Sequence, residues 1–220
     1  MDNQFKTDPT KVKTPLLWPL EQKWIAKVVP RLPKFLNGVS LTLFNIVWSV
    51  LVIIAGWLAI SNINWLWGIS VIILLHYLCD ALDGAVGRYR KSGLVNWGHL
   101  MDHFLDFIFL CAIIVAYALI LPNSNIILLI ILATFGGLMV ITYIMSGITK
   151  QFRMSYFRIG ATEVMIGIII LNALTIFIGA QLLYRVFIAL DIILFTTLIY
   201  ATYKAQRQAW RIDQDNKKIS

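Results

Sequence analysis

Charged residues are scarce in this sequence, and cysteine is nearly absent. Lysine, arginine, aspartate and glutamate together make up 14% of the 220 residues, whereas hydrophobic residues make up 59%. That composition excludes an ordinary soluble domain, in which about a quarter of the residues are charged. The two cysteines, Cys79 and Cys111, both lie in apolar segments, so no disulfide framework is indicated and we predict packing roles for them. The first 36 residues are polar or mixed, so no cleavable signal peptide is apparent.

The hydrophobic residues are concentrated in six long runs. Each run is close to the roughly 20 residues that a helix needs to cross a bilayer. We therefore predict an all-α membrane protein with six transmembrane helices. The predicted spans are 38–60, 65–88, 97–121, 125–147, 160–180 and 183–204.

Positive charge is distributed unevenly between the connections. The net charge is +8, and 18 of the 19 lysines and arginines lie before span one, between spans two and three, between spans four and five, or after span six. Arg185 alone lies on the other side. The positive-inside rule then places both termini in the cytoplasm. Membrane topology and anionic lipid explain this charge, so we expect no nucleic-acid partner.

The segment before the first span mixes apolar and basic residues. Between Leu16 and Leu36, leucines and tryptophans alternate with lysines and arginines, which predicts an amphipathic helix in the membrane interface, interrupted by Pro30 and Pro33. A disordered basic leader is the alternative interpretation. The predicted organisation is an interfacial segment, a six-helix transmembrane domain and a cytoplasmic tail, at 1–36, 37–205 and 206–220 respectively.

Four aspartates lie at the cytoplasmic ends of the second and third predicted spans. Asp80 and Asp83 are three residues apart, so they share one stripe of a helix. Asp102 and Asp106 are four apart and share another. Four carboxylates on facing stripes repel one another unless a cation lies between them, and each costs roughly 2.5–3.5 kcal/mol at the middle of a span. Because glycines beside them leave room for a ligand, the pattern predicts a divalent-cation site next to a phosphate-bearing substrate.

The same stretch resembles the signature of the CDP-alcohol phosphotransferases, also called CDP-alcohol phosphatidyltransferases. The family pattern is D-x2-D-G-x2-A-R followed, after about eight residues, by G-x3-D-x3-D. Its positions are occupied here by Asp80, Asp83, Gly84, Arg88, Gly98, Asp102 and Asp106. Gly87 replaces the usual alanine before the arginine, and nine residues separate Arg88 from Gly98. Neither departure removes a charged group.

The resemblance implies a reaction, its cofactors and its partners. Such enzymes transfer a phosphatidyl or phospho-alcohol group from a CDP-linked donor to the hydroxyl of an alcohol in phospholipid biosynthesis, and they release CMP. The implied cofactor is Mg²⁺ or Mn²⁺, as two ions. The implied partners are CDP-diacylglycerol or a similar donor, an alcohol acceptor, membrane lipids and a second copy in a homodimer. The implied location is the cytoplasmic membrane, or the endoplasmic reticulum in a eukaryote, with the active site facing the cytoplasm.

The resemblance also implies a role for each motif residue. Asp80, Asp83 and Asp102 match the metal ligands that hold the diphosphate of the donor. Asp106 matches the general base on the acceptor hydroxyl and is a fourth candidate metal ligand. The nucleotide-side positions are matched by Asp80, Asp83, Gly84, Gly87, Arg88 and Gly98.

Other polar residues near the motif are candidates for binding the acceptor. His103 follows Asp102 directly, and it either contacts the acceptor or makes an interfacial hydrogen bond. In family members whose acceptor carries a phosphate, basic residues between spans four and five help to bind it. The candidates there are Lys150, Arg153 and Arg158, which otherwise are positive-inside charges. Glu163 either reaches the acceptor pocket or pairs with Arg158.

Two functions of other classes stay open. A divalent-cation transporter would also use aspartates within the membrane, although all four cluster at one face and the opposite half of spans two and three is apolar. A catalytically idle homologue that binds lipid is the second alternative, although every charged motif position is occupied. The sequence identifies neither the acceptor nor the donor.

Overall fold

The structure, a computed structural model, describes residues 16–149 and 161–217, and these residues are helical almost throughout. Within those ranges there are seven α-helices and no strand. The helices are α1 (Trp18–Val28), α2 (Gly38–Ala59), α3 (Trp65–Tyr89), α4 (Val95–Ile120), α5 (Asn125–Thr149), α6 (Ala161–Ile178) and α7 (Gln181–Lys217).

Five of these helices, α2 to α5 and α7, are long and apolar enough to cross a membrane. The prediction of an all-helical membrane protein is therefore confirmed. α6 is a shorter apolar helix, so the sixth span stays a prediction. α7 has 37 residues and, at 1.5 Å per residue, is about 55 Å long. It therefore continues well past the predicted end of the last span, and the predicted tail is helical as far as Lys217.

α1 forms where the interfacial helix is predicted. It ends at Val28, and a short 3₁₀ turn containing Pro30 follows it. Ile25 packs in a small apolar cluster with Leu82 of α3, whereas Trp24 is exposed. α1 thus covers the end of α3 that carries the motif, while its position at a membrane surface stays a prediction.

The connection between α1 and α2 is tied to Arg90, the residue that follows the motif helix α3. The guanidinium of Arg90 donates four hydrogen bonds of 2.9–3.0 Å to backbone carbonyls. The accepting carbonyls belong to Leu32, Pro33, Lys34 and Leu36. Arg90 was predicted only as a positive-inside charge, and its bonds to these carbonyls were not predicted.

α2, α3 and α4 form the centre of the molecule. α2 runs antiparallel to α3, with Gly38 against Gly87, Thr42 against Asp83 and Trp48 against Cys79. α2 also lies very close to α4, since a Cβ added at Gly56 would be 2.6 Å from the Cα of Ala116. Only glycine allows the two backbones to approach so closely.

The remaining helices pack around this centre, α6 against α3 and α5 against α7. A buried polar chain fixes α6: Tyr117 donates a 2.7 Å hydrogen bond to Asn172 Oδ1, and Asn172 Nδ2 donates a 3.0 Å bond to Ser70 Oγ. These bonds join α4, α6 and α3 within the main apolar core. A second, smaller apolar cluster, which includes Leu82 and Val86, packs at the motif end of α3.

Candidate active site

Asp80, Asp102 and Asp106 come together at one end of α3 and α4. One carboxylate oxygen from each residue lies within 4.8 Å of the other two, and all three side chains are half-buried. The short connection from α3 to α4 turns the chain back on itself, with Gly93 at φ +73°, a backbone conformation that glycine adopts readily. The antiparallel helices then bring Asp80 of the first aspartate stripe to face Asp102 and Asp106 of the second.

Among the described residues, no lysine or arginine forms an ion pair with this cluster. His103 Nδ1 lies 3.7 Å from Asp102 Oδ2. Asp80 Oδ1 is buried and has no hydrogen-bond partner within the described part of the chain. Carboxylates at such distances do not all stay ionised without a cation, and hard oxygen donors suit Mg²⁺ or Mn²⁺. The three residues therefore fit a divalent cation.

Asp83, the fourth predicted ligand, lies outside this group of three. Its side chain is buried, and its Oδ2 atom is 2.7 Å from Thr42 Oγ1 of α2. Thr42 Oγ1 also lies 2.8 Å from the carbonyl oxygen of Gly38, so one hydroxyl proton serves two acceptors. Participation of Asp83 in metal binding stays a prediction.

The residues predicted on the nucleotide side lie along the last turns of α3 and the start of α4. The guanidinium of Arg88 lies over Gly84, because a Cβ added at Gly84 would be 3.3 Å from Arg88 Nη1. A Cβ at Gly87 would be 3.4 Å from Ser92 Oγ, whereas one at Gly98 would have no atom within 4 Å. The space predicted beside the carboxylates is thus open at Gly98, whereas at Gly84 the guanidinium of Arg88 occupies part of it.

An aromatic wall adjoins the cluster. The ring of His103 stacks on that of Tyr143 with centroids 4.6 Å apart, and it meets the edge of His99 at 4.3 Å. Tyr143 lies on α5, so this stack joins α5 to the helix that carries Asp102 and Asp106. Tyr143 was not predicted, since a single tyrosine on an apolar helix gives no signal.

Of the other predicted acceptor residues, the structure describes only Glu163. Glu163 Oε1 accepts a 2.9 Å hydrogen bond from the backbone N–H of Leu17, which places this carboxylate against the start of α1. Lys150, Arg153 and Arg158 lie outside the described residues. A role for these four residues in acceptor binding stays a prediction.

Comparison with known proteins identifies the family. The family model for CDP-alcohol phosphatidyltransferases matches residues 37–203. Over 85 residues the chain is 33% identical to the inner membrane protein YnjF of Escherichia coli (strain K12), and this match covers 39% of the chain and 37% of YnjF. The chain thus spans little more than a third of the length of that relative. No solved structure matches it. Because the family model covers most of the sequence, including all four motif aspartates, the chain belongs to the CDP-alcohol phosphatidyltransferase family.

Proposed function

We propose that this membrane protein transfers a phosphatidyl or phospho-alcohol group from a CDP-linked donor to the hydroxyl of an alcohol, releasing CMP, in phospholipid biosynthesis. The observation that carries the proposal is the convergence of Asp80, Asp102 and Asp106, whose oxygens lie within 4.8 Å of one another. Family membership supports the reaction class. The donor is CDP-diacylglycerol or a similar CDP-linked molecule.

The three carboxylates are proposed to hold Mg²⁺ or Mn²⁺, with Asp83 as a ligand of a second ion. When bound, the cations supply charge neutralisation on the diphosphate of the donor, which phosphoryl-type transfer requires. Asp83 would bind the second ion from its position against Thr42, one turn along α3 from Asp80.

The chain's own residues then bind the donor and move a proton. Arg88, which lies over Gly84, pairs with the donor's phosphates, and Gly87 and Gly98 leave space for it. Asp106 accepts the proton of the acceptor hydroxyl as that oxygen attacks the phosphorus atom. A new phosphorus–oxygen bond forms, the bond from phosphorus to the CMP oxygen breaks, and CMP leaves with its electron pair.

The acceptor is proposed to enter beside His103. The stacked rings of His103 and Tyr143 form one wall next to Asp102. For an acceptor that carries a phosphate, we propose Lys150, Arg153 and Arg158 as its binding residues, with Glu163 nearby.

The active site is proposed to face the cytoplasm, where CDP-linked donors are made. The 18-to-1 distribution of lysine and arginine supports this orientation. Membrane lipids surround the enzyme, and a homodimer is proposed from the family resemblance alone.

The test is CMP release by the purified full-length protein in lipid nanodiscs. The protein is incubated with Mn²⁺, with CDP-diacylglycerol or CDP-choline, and with a panel of alcohols. We expect CMP release that depends on both a donor and one acceptor, and that is absent in Asp102→Asn. The same protein in liposomes should carry no Mn²⁺ flux; flux without CMP release would favour a transporter and contradict the proposal.

A further inference from the structure

Deeper in the bundle than the three carboxylates, buried polar atoms lack partners. Asn45 on α2 is 0% exposed, and neither its Nδ2 nor its Oδ1 atom has a hydrogen bond within the described residues. The same holds for Nε2 of His76 and Oδ1 of Asp80, both on α3. Leaving a buried polar group without a hydrogen-bond partner destabilises the fold. Three such residues together therefore indicate a bound species that satisfies them.

The register between α2 and α3 places Asn45 at the depth of Asp80. Asn45 follows Thr42 by three residues, and Asp80 precedes Asp83 by three. Since Thr42 contacts Asp83 and the helices are antiparallel, both residues lie about 4.5 Å deeper than that contact. Trp48 Nε1 donates to Cys79 Sγ at 3.3 Å, which confirms the register on the far side of Asn45.

His76 lies one turn below Asp80 on the same face of α3, about 6 Å deeper. Its ring stacks on Phe109 of α4 with centroids 3.5 Å apart and planes inclined by 5°. This stack fixes the plane in which the unpaired Nε2 atom lies. Asn45 thus lies level with Asp80 on the neighbouring helix, and His76 lies one turn below Asp80 on its own helix.

The next polar residue on the buried stripe of α2 behaves differently. Ser49 Oγ donates a 2.8 Å hydrogen bond to the carbonyl of Asn45 and is satisfied within its own helix. On α2 the unpaired atoms are therefore those of Asn45, and they do not continue as far as Ser49.

We propose that Asn45 and His76 form the floor of the metal site and hold a buried water against Oδ1 of Asp80. The water accepts a hydrogen bond from Asn45 Nδ2, donates one to Asp80 Oδ1, and makes a third with His76 Nε2, the usual number for a buried water. Asn45 and His76 are then positioning residues: they fix the orientation of Asp80, whose other oxygen is left for the cation. The inference rests on the proposed role of Asp80 as a metal ligand and extends it to two residues outside the motif.

The test is Mn²⁺ binding to the full-length protein in lipid nanodiscs without substrate, followed by electron paramagnetic resonance of free Mn²⁺. Asn45→Leu and His76→Phe keep the approximate shape of each side chain and remove its polar atoms. Each should weaken Mn²⁺ binding by about 10- to 100-fold, the range usual for losing a group that orients a metal ligand. Thermal unfolding of metal-free Asn45→Leu and His76→Phe is measured beside the binding, so that a loss of Mn²⁺ affinity caused by unfolding is recognised.

Two further variants complete the design. Asn45→Ser keeps a hydrogen-bonding group and leaves room for water, so it should bind Mn²⁺ nearly as well as the wild type. Ser49→Ala, on the same stripe one turn deeper, is the matched control and should leave Mn²⁺ affinity unchanged. A loss in Ser49→Ala equal to that in Asn45→Leu would indicate a packing effect and overturn the inference.

Unchanged Mn²⁺ affinity in Asn45→Leu and His76→Phe would also overturn it. Where Asn45→Leu does not fold, His76→Phe decides the question by the same measurement. A wild-type protein that bound no Mn²⁺ would overturn the metal site and this inference together. A wild type that binds Mn²⁺ and releases CMP, with both variants unaffected, would overturn this inference only.

Discussion

The side-chain oxygens of Thr42 and Asp83 lie 2.7 Å apart and join the first long helix to the acidic motif. Both side chains are buried, with 2% and 7% of their surface exposed. A hydrogen bond to a charged group contributes roughly 1.5–3 kcal/mol, so this contact holds α2 against α3 next to the proposed donor site. It also explains why Asp83 stands apart from the other three aspartates.

Thr42→Val should lower both stability and nucleotide affinity. Valine has nearly the shape of threonine but cannot donate a hydrogen bond, which leaves Asp83 buried without its partner. We expect the free energy of unfolding to fall by about 1–3 kcal/mol, measured by denaturation in detergent, and calorimetric CDP binding to weaken. Thr134→Val is the control, because the Thr134 hydroxyl bonds to carbonyls of its own helix. Equal effects of the two substitutions would contradict a special role for the contact.

CMP release should depend strictly on Mg²⁺ or Mn²⁺. No lysine or arginine among the described residues forms an ion pair with the three carboxylates, so their charge needs a bound cation. Excess EDTA should stop CMP release and added Mn²⁺ should restore it, whereas Asp83→Asn and Asp102→Asn should be inactive at any Mn²⁺ concentration. Full turnover in EDTA is the result that would rule out the metal site.

The helices could be predicted because the length of an apolar run is a strong signal. The prediction of a span at 65–88 compares with α3 at Trp65–Tyr89. The continuation of α7 beyond residue 204 was not predicted as helix, because apolar residues become sparse there. That part is built from good helix formers such as Lys204, Ala205 and Gln206 rather than from hydrophobic ones.

The site could be predicted only as far as the motif extends along the chain. Asp80 and Asp83 share a stripe, but they point about 60° apart, and which of them faces α4 depends on how α3 is rotated. Packing sets that rotation, through contacts of α3 such as the stack of His76 on Phe109 of α4. The same reason hides Asn45 and Tyr143, which lie on helices without a motif.

Asp106→Asn should separate catalysis from binding. Asparagine keeps the size of the side chain but cannot accept a proton, so the rate of CMP release should fall by roughly 10²- to 10⁴-fold. CDP binding, measured by calorimetry, should be largely retained. Asp80→Asn, on the facing helix, should instead weaken CDP binding itself, because it loosens the cation that holds the diphosphate. Loss of CDP binding in Asp106→Asn, with turnover preserved per bound donor, would show that Asp106 acts mainly as a metal ligand and not as the general base.

Single-cysteine labelling should show that the acidic cluster faces the cytoplasm. Asn123 and Ser92 are both exposed and lie at opposite ends of α4, so they form a matched pair. The labelled variants are made in a cysteine-free protein that carries Cys79→Ser and Cys111→Ser. Serine at position 79 can still accept the hydrogen bond of Trp48 Nε1. In intact cells a membrane-impermeant maleimide should label Asn123→Cys, because no lysine or arginine adjoins that connection. Ser92→Cys, beside Arg90 and Lys91, should react only after permeabilisation. The reverse pattern would put the carboxylates on the opposite side of the membrane from cytosolic CDP-linked donors. The proposed reaction could not then use those donors.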